Sequence, residues 1–487
     1  MSTITIYDNG GKNTLTFAEG TNLLDFLRTA GYSVAAPCGG NGKCGKCRVR
    51  LGDETVCACQ TVLTGDCIVR LEHSDAEIAW NRTTEEHGVS GGRAGLGAAI
   101  DLGTTTVAVS LFDLANGRRI GALSRWNAQK AYGADVISRI AYCMENEKGL
   151  AVLSELIRKQ ILEILHELCD NNHAVFSDIK ELFLAGNTVM QHIFAGISPN
   201  SIAAAPFTPQ SLFDGDMEDS LDGMALRYAP CVAGYVGGDI TAGLLSSGLN
   251  ERQGKALFID VGTNGEMALG DEEGFAACAV ASGPAFEGAG IACGMPAQTG
   301  AIYKAELTQN GIRYEVIGSG EALGICGSGL LDIVACLLEL GVIDETGALE
   351  EDENGDAVFH ITETVYIDQR DIRQLQLAKA AVAAGIRRLM QSENVAYDEV
   401  SALYLAGGFG NRLRPESAVK IGMLPGELLG RIRPLGNTSL SGAEAALLDE
   451  RKRESLKEIQ AKCRYIELSA DSAFNEVFIE EMLFPQS

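Results

Sequence analysis

The sequence of 487 residues contains no apolar run of the roughly 18 residues that are needed to span a bilayer. Its first residues lack the basic segment and the apolar core of a signal peptide. Basic residues are also in deficit, with 39 lysines and arginines against 65 aspartates and glutamates, for a net charge of −26. This deficit argues against nucleic acid and anionic membrane surfaces as partners. We therefore expect a cytoplasmic protein whose partners dock through a basic or polar face.

Histidines are few and show no metal-ligand spacing, whereas 14 cysteines are present. Three cysteines lie in the glycine-rich stretch 38–47, and another pair follows at 57 and 59. Thiolates are soft ligands that suit iron–sulfur clusters, zinc or copper(I). Gaps of five, two and eleven residues separate four of these cysteines, and the plant-type 2Fe–2S pattern is one residue shorter in its first gap. We predict a 2Fe–2S cluster on Cys38, Cys44, Cys47 and Cys59.

Two alternatives remain open for this cysteine group. Zinc also forms closed tetrahedral sites with four thiolates, and Cys57 has the same strand parity as Cys59, so alternation does not choose between them. Around the cysteines, residues 1–71 read as a hairpin, a short helix, the cysteine loop and further strands, which is the order of an α+β β-grasp ferredoxin. Residues 72–97 are polar and then glycine-rich, which indicates a flexible linker.

From residue 98 onward the sequence contains an internal duplication. The segment AIDLGTTTV at 99–107 recurs as FIDVGTNGE at 258–266, and LFLAGN at 182–187 recurs as LYLAGG at 403–408. Each copy is an apolar strand followed by a tight glycine turn, and helical stretches lie between the strands. This alternation predicts an α/β architecture, with lobe I at 98–250 and lobe II at 251–487.

The duplicated Asp-x-Gly-Thr turns predict a two-jawed nucleotide clamp. Glycine and threonine at a turn present N–H groups and hydroxyls to phosphates, while Asp101 and Asp260 would hold the waters of a hydrated Mg²⁺, with turn capping as the alternative. Asp239 would position an attacking water or cap the helix that follows it. We also predict nucleotide contacts from a larger set of residues, namely Gly103, Thr104, Thr105, Thr106, Gly262, Thr263, Asn264, Gly407, Gly408 and Phe409.

These motifs resemble the actin, sugar-kinase and heat-shock-chaperone ATPase superfamily. The resemblance implies a two-lobed, duplicated, ribonuclease-H-like α/β domain that binds ATP. Residues 101–106 and 260–266 are similar to its two phosphate segments, and residues 405–410 to its adenosine segment. Residues 233–245 and 326–338 are similar to its two connecting helices.

A 2Fe–2S ferredoxin domain fused to this ATPase resembles the reductive activators of corrinoid enzymes, and the motifs at 230–239, 282–290 and 327–329 extend the resemblance. The resemblance implies an ATP-dependent corrinoid-protein reductase that returns Co(II) to Co(I) through the 2Fe–2S cluster. It implies a corrinoid protein or corrinoid-dependent methyltransferase as partner, a low-potential electron donor and a homodimer. The alternatives are an ATP-driven electron-transfer activator of a dehydratase-type enzyme, a redox-sensing small-molecule kinase, and a module that binds nucleotide without turnover.

Overall fold

The computed structural model describes residues 2–8, 11–30, 32, 34, 42, 47–52, 54–71, 92–215, 219–309, 311–318, 320–351, 355–410 and 412–486. The predicted cluster ligands Cys38 and Cys44 and most of the predicted linker lie outside these residues. No helix in the described part of the chain is both long enough and apolar enough to cross a membrane.

The N-terminal domain is a five-stranded sheet with one helix packed on it. The Asn22 side chain caps this helix by accepting hydrogen bonds from the backbone N–H groups of Leu24 at 3.0 Å and Asp25 at 3.3 Å, as expected for asparagine before an apolar stretch. The sheet order is β2-β1-β5-β3-β4. Its elements are β1 (Ser2–Asp8), β2 (Gly11–Phe17), α1 (Leu23–Thr29), β3 (Arg48–Leu51), β4 (Glu54–Cys57), the 3₁₀ turn Ala58–Gln60 and β5 (Cys67–Arg70).

Lobe I is built on a six-stranded sheet whose strands alternate along the chain with helices. The sheet order is β10-β11-β9-β6-β7-β8. The strands are β6 (Leu96–Leu102), β7 (Thr106–Asp113), β8 (Arg119–Trp126), β9 (Ile179–Gly186), β10 (Asp219–Leu221) and β11 (Met224–Tyr228). The helices are α2 (Val136–Glu145), α3 (Gly149–Asn172), α4 (Thr188–Ala195) and α5 (Gly238–Ser246), with 3₁₀ turns at Ala128–Ala131, Phe176–Asp178, Asn200–Ile202 and Leu249–Glu251.

Lobe II has a second six-stranded sheet, of order β21-β20-β12-β13-β14-β22, and two small sheets. The strands are β12 (Ala256–Val261), β13 (Gly265–Asp271), β14 (Gly274–Val280), β15 (Ala301–Thr308), β16 (Gly311–Val316), β17 (Gly324–Ile325), β18 (Val358–His360), β19 (Tyr366–Asp368), β20 (Leu403–Ala406), β21 (Ile432–Gly436) and β22 (Cys463–Tyr465). The helices are α6 (Gly327–Leu340), α7 (Gln369–Glu393), α8 (Gly407–Gly410), α9 (Pro415–Lys420), α10 (Thr438–Leu448), α11 (Glu450–Lys462) and α12 (Ser472–Glu480). The 3₁₀ turns are Pro284–Glu287, Tyr397–Glu399 and Gly426–Arg431.

The two large sheets repeat one topology, which confirms the predicted duplicated α/β fold. In each sheet an antiparallel three-strand meander is extended by two parallel strands, β9 and β11 in lobe I and β20 and β21 in lobe II. The register is equivalent as well, since Asp101 faces Ala185 and Asp260 faces Ala406 on the parallel neighbour. The two motif aspartates therefore occupy the same position in each lobe, at the carboxyl end of the first strand.

The helices that connect the lobes correct one part of the resemblance. Helix α5 begins at Gly238, so residues 233–237 precede it. It packs against α10, whereas α6, which contains most of the predicted second connecting helix 326–338, packs on β15. The approach of α5 and α10 is close: a Cβ atom at Gly442 would lie 2.1 Å from the carbonyl oxygen of Ala242. A position without a side chain is thus required where the two helices meet.

The ferredoxin domain contacts lobe I through the last turn of α1. The Arg28 guanidinium donates a hydrogen bond to the carbonyl oxygen of Ala131. Its carbon lies 5.4 Å from the centre of the Tyr132 ring, within the distance of a cation–π contact. The contact falls just after the 3₁₀ turn of lobe I that borders the first glycine turn.

Candidate functional site

The described part of the cysteine group brings two of the predicted ligands together. The Sγ atoms of Cys47 and Cys59 lie 3.2 Å apart, and the backbone N–H of Cys59 donates to the Cys47 sulfur at 3.4 Å. Cys57 ends β4, and its carbonyl oxygen accepts from the Thr61 hydroxyl. Two sulfurs facing each other suit a pair of ligands on one soft metal ion. Among the described residues the set is therefore compatible with an iron–sulfur cluster that includes Cys59.

Four carboxylates, two from each lobe, gather where the lobes meet, a junction that we call the cleft. Asp101 and Asp260 are the next-to-last residues of β6 and β12. Asp239 lies in the first turn of α5, and Glu266 is near the start of β13. The aspartates keep some solvent contact, and Glu266 is buried. The structure thus brings together the three aspartates predicted from the sequence and adds Glu266.

Burial and mutual repulsion shape the ionisation of these acids. Burial, followed by the negative charge of Asp101, raises the pKa of Asp260 to about 7. Burial, followed by the charges of Asp260 and Asp101, also raises the pKa of Asp239. The pKa of Glu266 is raised well above its usual value by burial and then by Asp239 and Asp260. A cluster of acids that repel one another is stabilised by binding a proton or a cation between them.

Asp101 differs from the other acids because two side chains of α10 and its cap hold it. Its carboxylate accepts from the Ser439 hydroxyl at 2.7 Å and from the Asn437 amide at 2.8 Å. Burial raises the pKa of Asp101, and these two hydrogen bonds oppose the rise. No three His, Cys, Asp or Glu side chains among the described residues are placed to ligate a metal directly. The acids fit a cation that keeps its water ligands.

The first turn, residues 103–106, is held by three side chains of lobe I. The Thr104 hydroxyl accepts from the Asn187 amide at 3.0 Å, and its carbonyl accepts from the Arg139 guanidinium. The Gly103 carbonyl accepts from the Asn127 amide at 2.8 Å. Arg139 is fully buried, and burial lowers its pKa to about 9 against the attraction of Asp135 and Glu287. The turn is a preorganised backbone structure with a cation behind it.

The second turn, residues 262–264, meets the first through one glutamate. The Thr263 hydroxyl donates to Glu287 Oε1 at 2.7 Å, and the Thr105 hydroxyl donates to Glu287 Oε2 at 3.1 Å. The turn itself is closed by the Gly262 N–H donating to the Asn264 carbonyl at 2.9 Å. Thr105 and Thr263 thus lie within hydrogen-bond distance of one carboxylate, and the two turns face each other across the cleft.

The predicted adenosine segment lies beside the second turn. Gly407 has φ 85°, and a Cβ there would lie 2.5 Å from Asp260 Oδ1, so glycine is required. Gly408 borders open space, because no atom lies within 4 Å of the position of its Cβ. The Phe409 ring stacks on Phe286 with centroids 4.8 Å apart and an angle of 21°. The backbone is therefore accessible to a flat ligand next to the acids.

Several residues of this site were missed or ranked low from the sequence. Asn187 occupies the position equivalent to Gly408 in the duplication, which was a usable signal. Asn437 and Ser439 have no counterpart in any motif, and Glu287 stands in a glycine-rich segment that gives no hint of its two partners. Nothing in the sequence distinguishes Arg139 from the other arginines, and its complete burial is seen only in the structure.

Comparison with known proteins gives a family for each part of the chain. Residues 6–72 match the 2Fe-2S iron-sulfur cluster binding domain, residues 96–252 the RACo middle region, and residues 254–487 the C-terminal domain of RACo, described as the ASKHA domain. The corrinoid activation enzyme RamQ of Eubacterium limosum is 34% identical over 423 residues, covering 80% of this chain and 70% of that protein. The chain belongs to the reductive activators of corrinoid proteins.

Two further relatives agree with this assignment of the activator. The [Co(II) methylated amine-specific corrinoid protein] reductase of Methanosarcina barkeri is 23% identical over 431 residues, covering 80% of the activator and 77% of that protein. A solved structure of a reductive activator for corrinoid, iron-sulfur protein superposes with a TM-score of 0.72 at 29% identity, covering 100% of the activator and 99% of that chain. The activator thus has a ferredoxin domain that binds a 2Fe–2S cluster and a domain that binds nucleotide.

Proposed function

We propose that this activator uses ATP to deliver one electron to the cobalt of a protein-bound corrinoid, which converts Co(II) to Co(I). Its relatives are named as a corrinoid activation enzyme, a Co(II) corrinoid protein reductase and a reductive activator. The observation that carries the proposal is the combination of two sites in one chain. A paired-cysteine site in a ferredoxin fold is joined to a cleft whose two turns share one carboxylate.

The reason for joining these two sites is energetic. A plant-type ferredoxin centre lies near about −400 mV, and forming Co(I) requires an electron at a very low potential. Each ~59 mV uphill makes a one-electron transfer about tenfold less favourable. A nucleotide clamp supplies binding and conformational free energy that is coupled to the transfer. An electron carrier facing an easy acceptor would need no such clamp.

In the ferredoxin domain, four cysteines would hold the cluster. When bound, the 2Fe–2S cluster supplies a carrier for single electrons. Cys47 is buried in the domain core, and Cys59 reaches it from the 3₁₀ turn after β4. The full proposed ligand set is Cys38, Cys44, Cys47 and Cys59.

In the cleft, the acids would bind the hydrated Mg²⁺ ion and the attacking water, and the turns would bind ATP itself. Asp101 and Asp260 would hold water ligands of a Mg²⁺ ion, which offsets the charge of the phosphates. Asp239 would orient the attacking water, and its raised pKa lets it accept a proton near neutral pH. The proposed contacts to phosphate and adenosine are Gly103, Thr104, Thr105, Thr106, Gly262, Thr263, Asn264, Gly407, Gly408 and Phe409.

The cellular setting completes the proposal. The activator would work in the cytoplasm as a homodimer and take electrons from a low-potential donor. The cysteines in the described part of the chain form no disulfide, which is typical of a reducing compartment. The net charge of −26 favours a donor and a corrinoid protein with basic or polar docking faces. Sedimentation of the cluster-loaded protein at several concentrations tests the dimer.

The decisive experiment mixes the cluster-loaded activator with a reductant and a Co(II) corrinoid protein, with and without Mg²⁺ and ATP. We expect Co(I) absorbance to appear only with ATP, and ADP to be inactive. Equal Co(I) formation without ATP, or none with ATP, would overturn the proposal. Transfer of labelled γ-phosphate to a metabolite would instead favour the small-molecule kinase.

A further inference from the structure

Glu287 joins the two lobes at the point where they face each other. It ends the 3₁₀ turn Pro284–Glu287, and each of its two carboxylate oxygens accepts from a different lobe. Oε2 accepts from Thr105 of lobe I at 3.1 Å, and Oε1 accepts from Thr263 of lobe II at 2.7 Å. Both threonines belong to the turns that are proposed to bind phosphate.

The charges nearby show that this position is suited to an anion. Burial lowers the pKa of Lys130, and Glu287 opposes that effect. Arg139, which donates to the first turn, is likewise attracted by Glu287. Lys130 also lies over the Trp126 ring at 4.5 Å. Two largely buried cations beside the first turn thus have the Glu287 carboxylate as a counter-charge, and a phosphate group would serve them in the same way.

A carboxylate and a phosphate cannot use these two donors together. A threonine hydroxyl carries one hydrogen and donates to one acceptor at a time. Two anions held at the same donors also repel each other in a site of low dielectric. Donation to Glu287 and donation to a phosphate oxygen are therefore mutually exclusive.

The path of the phosphates identifies which group competes. The predicted adenosine segment around Gly407 and Phe409 belongs to lobe II, next to Asp260. A phosphate chain that started there would run from lobe II towards Thr105 of lobe I. Its terminal group would be the one that meets the lobe I donor.

We propose that Glu287 is a positioning residue that holds the two turns together and yields both threonine donors to the terminal phosphate of ATP. This inference rests on the proposed nucleotide function. ADP lacks the group that reaches Thr105, so it leaves Glu287 in place. Glu287 thereby makes the clamp distinguish ATP from ADP.

Displacement of Glu287 by phosphate would also affect the residues that pack around it. The adjacent Phe286 stacks on Phe409 of the adenosine segment. A Cβ at Gly327, the first residue of α6, would lie 1.9 Å from the Phe286 carbonyl oxygen. The segment is thus packed between the adenosine segment and α6, and a shift of Glu287 changes contacts on both sides.

The test compares the affinities of ATP and ADP in Glu287→Gln, which keeps the shape of the side chain and removes its charge. Calorimetry with Mg²⁺ and either ADP or a non-hydrolysable ATP analogue measures both dissociation constants on the cluster-loaded protein. We expect the variant to bind the ATP analogue at least about tenfold more tightly than the parent. The neutral amide oxygen of glutamine is a weaker acceptor than a carboxylate, so it competes less well with the phosphate for the two threonine hydroxyls. Its affinity for ADP should change by less than about twofold.

Two further variants keep the test decisive. Glu350→Gln removes the same charge from an exposed side chain away from the cleft and should alter neither constant. Glu287→Asp keeps the charge but shortens the reach to both threonines, so it should fall between the parent and Glu287→Gln, and it replaces that variant if the latter does not fold. An unchanged or weaker ATP affinity, or equal tightening for ATP and ADP, would overturn the inference. A parent that binds neither nucleotide would instead refute the proposed function.

Discussion

The carboxylate of Asp101 accepts a 2.7 Å hydrogen bond from the hydroxyl of Ser439, which lies 338 positions later in the sequence. Asp101 is the next-to-last residue of the first strand of lobe I, and Ser439 lies in the first turn of α10, the helix that packs against α5. Closure of the C-terminal part of the chain onto lobe I therefore completes the acidic site. A change in α10 is transmitted directly to an acid at the floor of the cleft.

Ser439→Ala should weaken binding of the Mg²⁺–ATP complex about fivefold, as expected for a net hydrogen bond of about 1 kcal/mol. The hydrogen bond holds down the pKa of Asp101, so its loss favours the protonated acid, which is a poorer partner for a hydrated cation. Calorimetric titration measures the effect. Ser455→Ala, which removes a hydroxyl bonded only to the Arg451 carbonyl of its own helix, is the matched control. Equal affinities for the two variants would contradict the role of Ser439.

The raised pKa of Asp260 predicts that the stability of the protein depends on pH. This pKa rises from 3.8 to about 7 on folding, so the native state binds more protons than the unfolded state between these values. Stability therefore falls as pH rises through this window. In EDTA without nucleotide, we expect a loss of about 1–2 kcal/mol between about pH 5 and pH 7, which allows for the partial solvent contact of the side chain.

Thermal unfolding at several pH values measures this loss. Asp260→Asn carries no titrating proton and should make the profile less steep over the same range, where the neighbouring acids still titrate. A parent protein whose stability rises between pH 5 and pH 7, or a variant with the slope of the parent, would be inconsistent with a buried, repelled carboxylate at this position.

The fourth cluster ligand gives a spectroscopic prediction. Cys59→Ser should lose the visible absorption of the 2Fe–2S cluster, since a hard hydroxyl replaces the sulfur that faces Cys47. Cys57→Ser, which changes a neighbouring thiol at the end of β4, should retain the spectrum. Absorption spectra and iron content of the two purified variants decide the matter, and the reverse pattern would make Cys57 the ligand.

The sequence predicted the fold well because its signals are local and repeated. Each glycine turn follows an apolar strand, and Asp101 and Asp260 take equivalent places in the two sheets. Strand parity did not choose between Cys57 and Cys59, and the 3₁₀ turn Ala58–Gln60 ends the strand before Cys59. Strand alternation is lost there. The folded structure places the sulfur of Cys59 next to that of Cys47, a contact that strand periodicity does not predict.

Contacts between distant segments were beyond reach from the sequence. Glu287 lies 182 positions from Thr105, and its role depends on two lobes meeting. The resemblance placed the second connecting helix at 326–338, which falls mostly within α6. Helix α10 takes that place because its small residues permit close packing on α5, and such packing has no signature in periodicity.

The packing of α10 on α5 yields a last prediction. Alanine usually stabilises a helix interior relative to glycine by about 1 kcal/mol. At Gly442, however, the added Cβ would lie 2.1 Å from the Ala242 carbonyl oxygen and 2.5 Å from its carbon, both backbone atoms that cannot rotate away. The helices must separate, and we expect Gly442→Ala to destabilise the ATPase domain by about 1–3 kcal/mol.

Differential scanning calorimetry should show this as a transition about 1–4 °C lower in a domain of this size. Gly430→Ala is the matched control, because no atom lies within 4 Å of its Cβ position, and it should leave the transition unchanged. Since α10 also holds Asp101 through Ser439, the same Gly442 variant should bind Mg²⁺–ATP more weakly. A Gly442→Ala protein that is as stable as the parent and binds nucleotide normally would show that the helix contact is not as close as 2.1 Å implies.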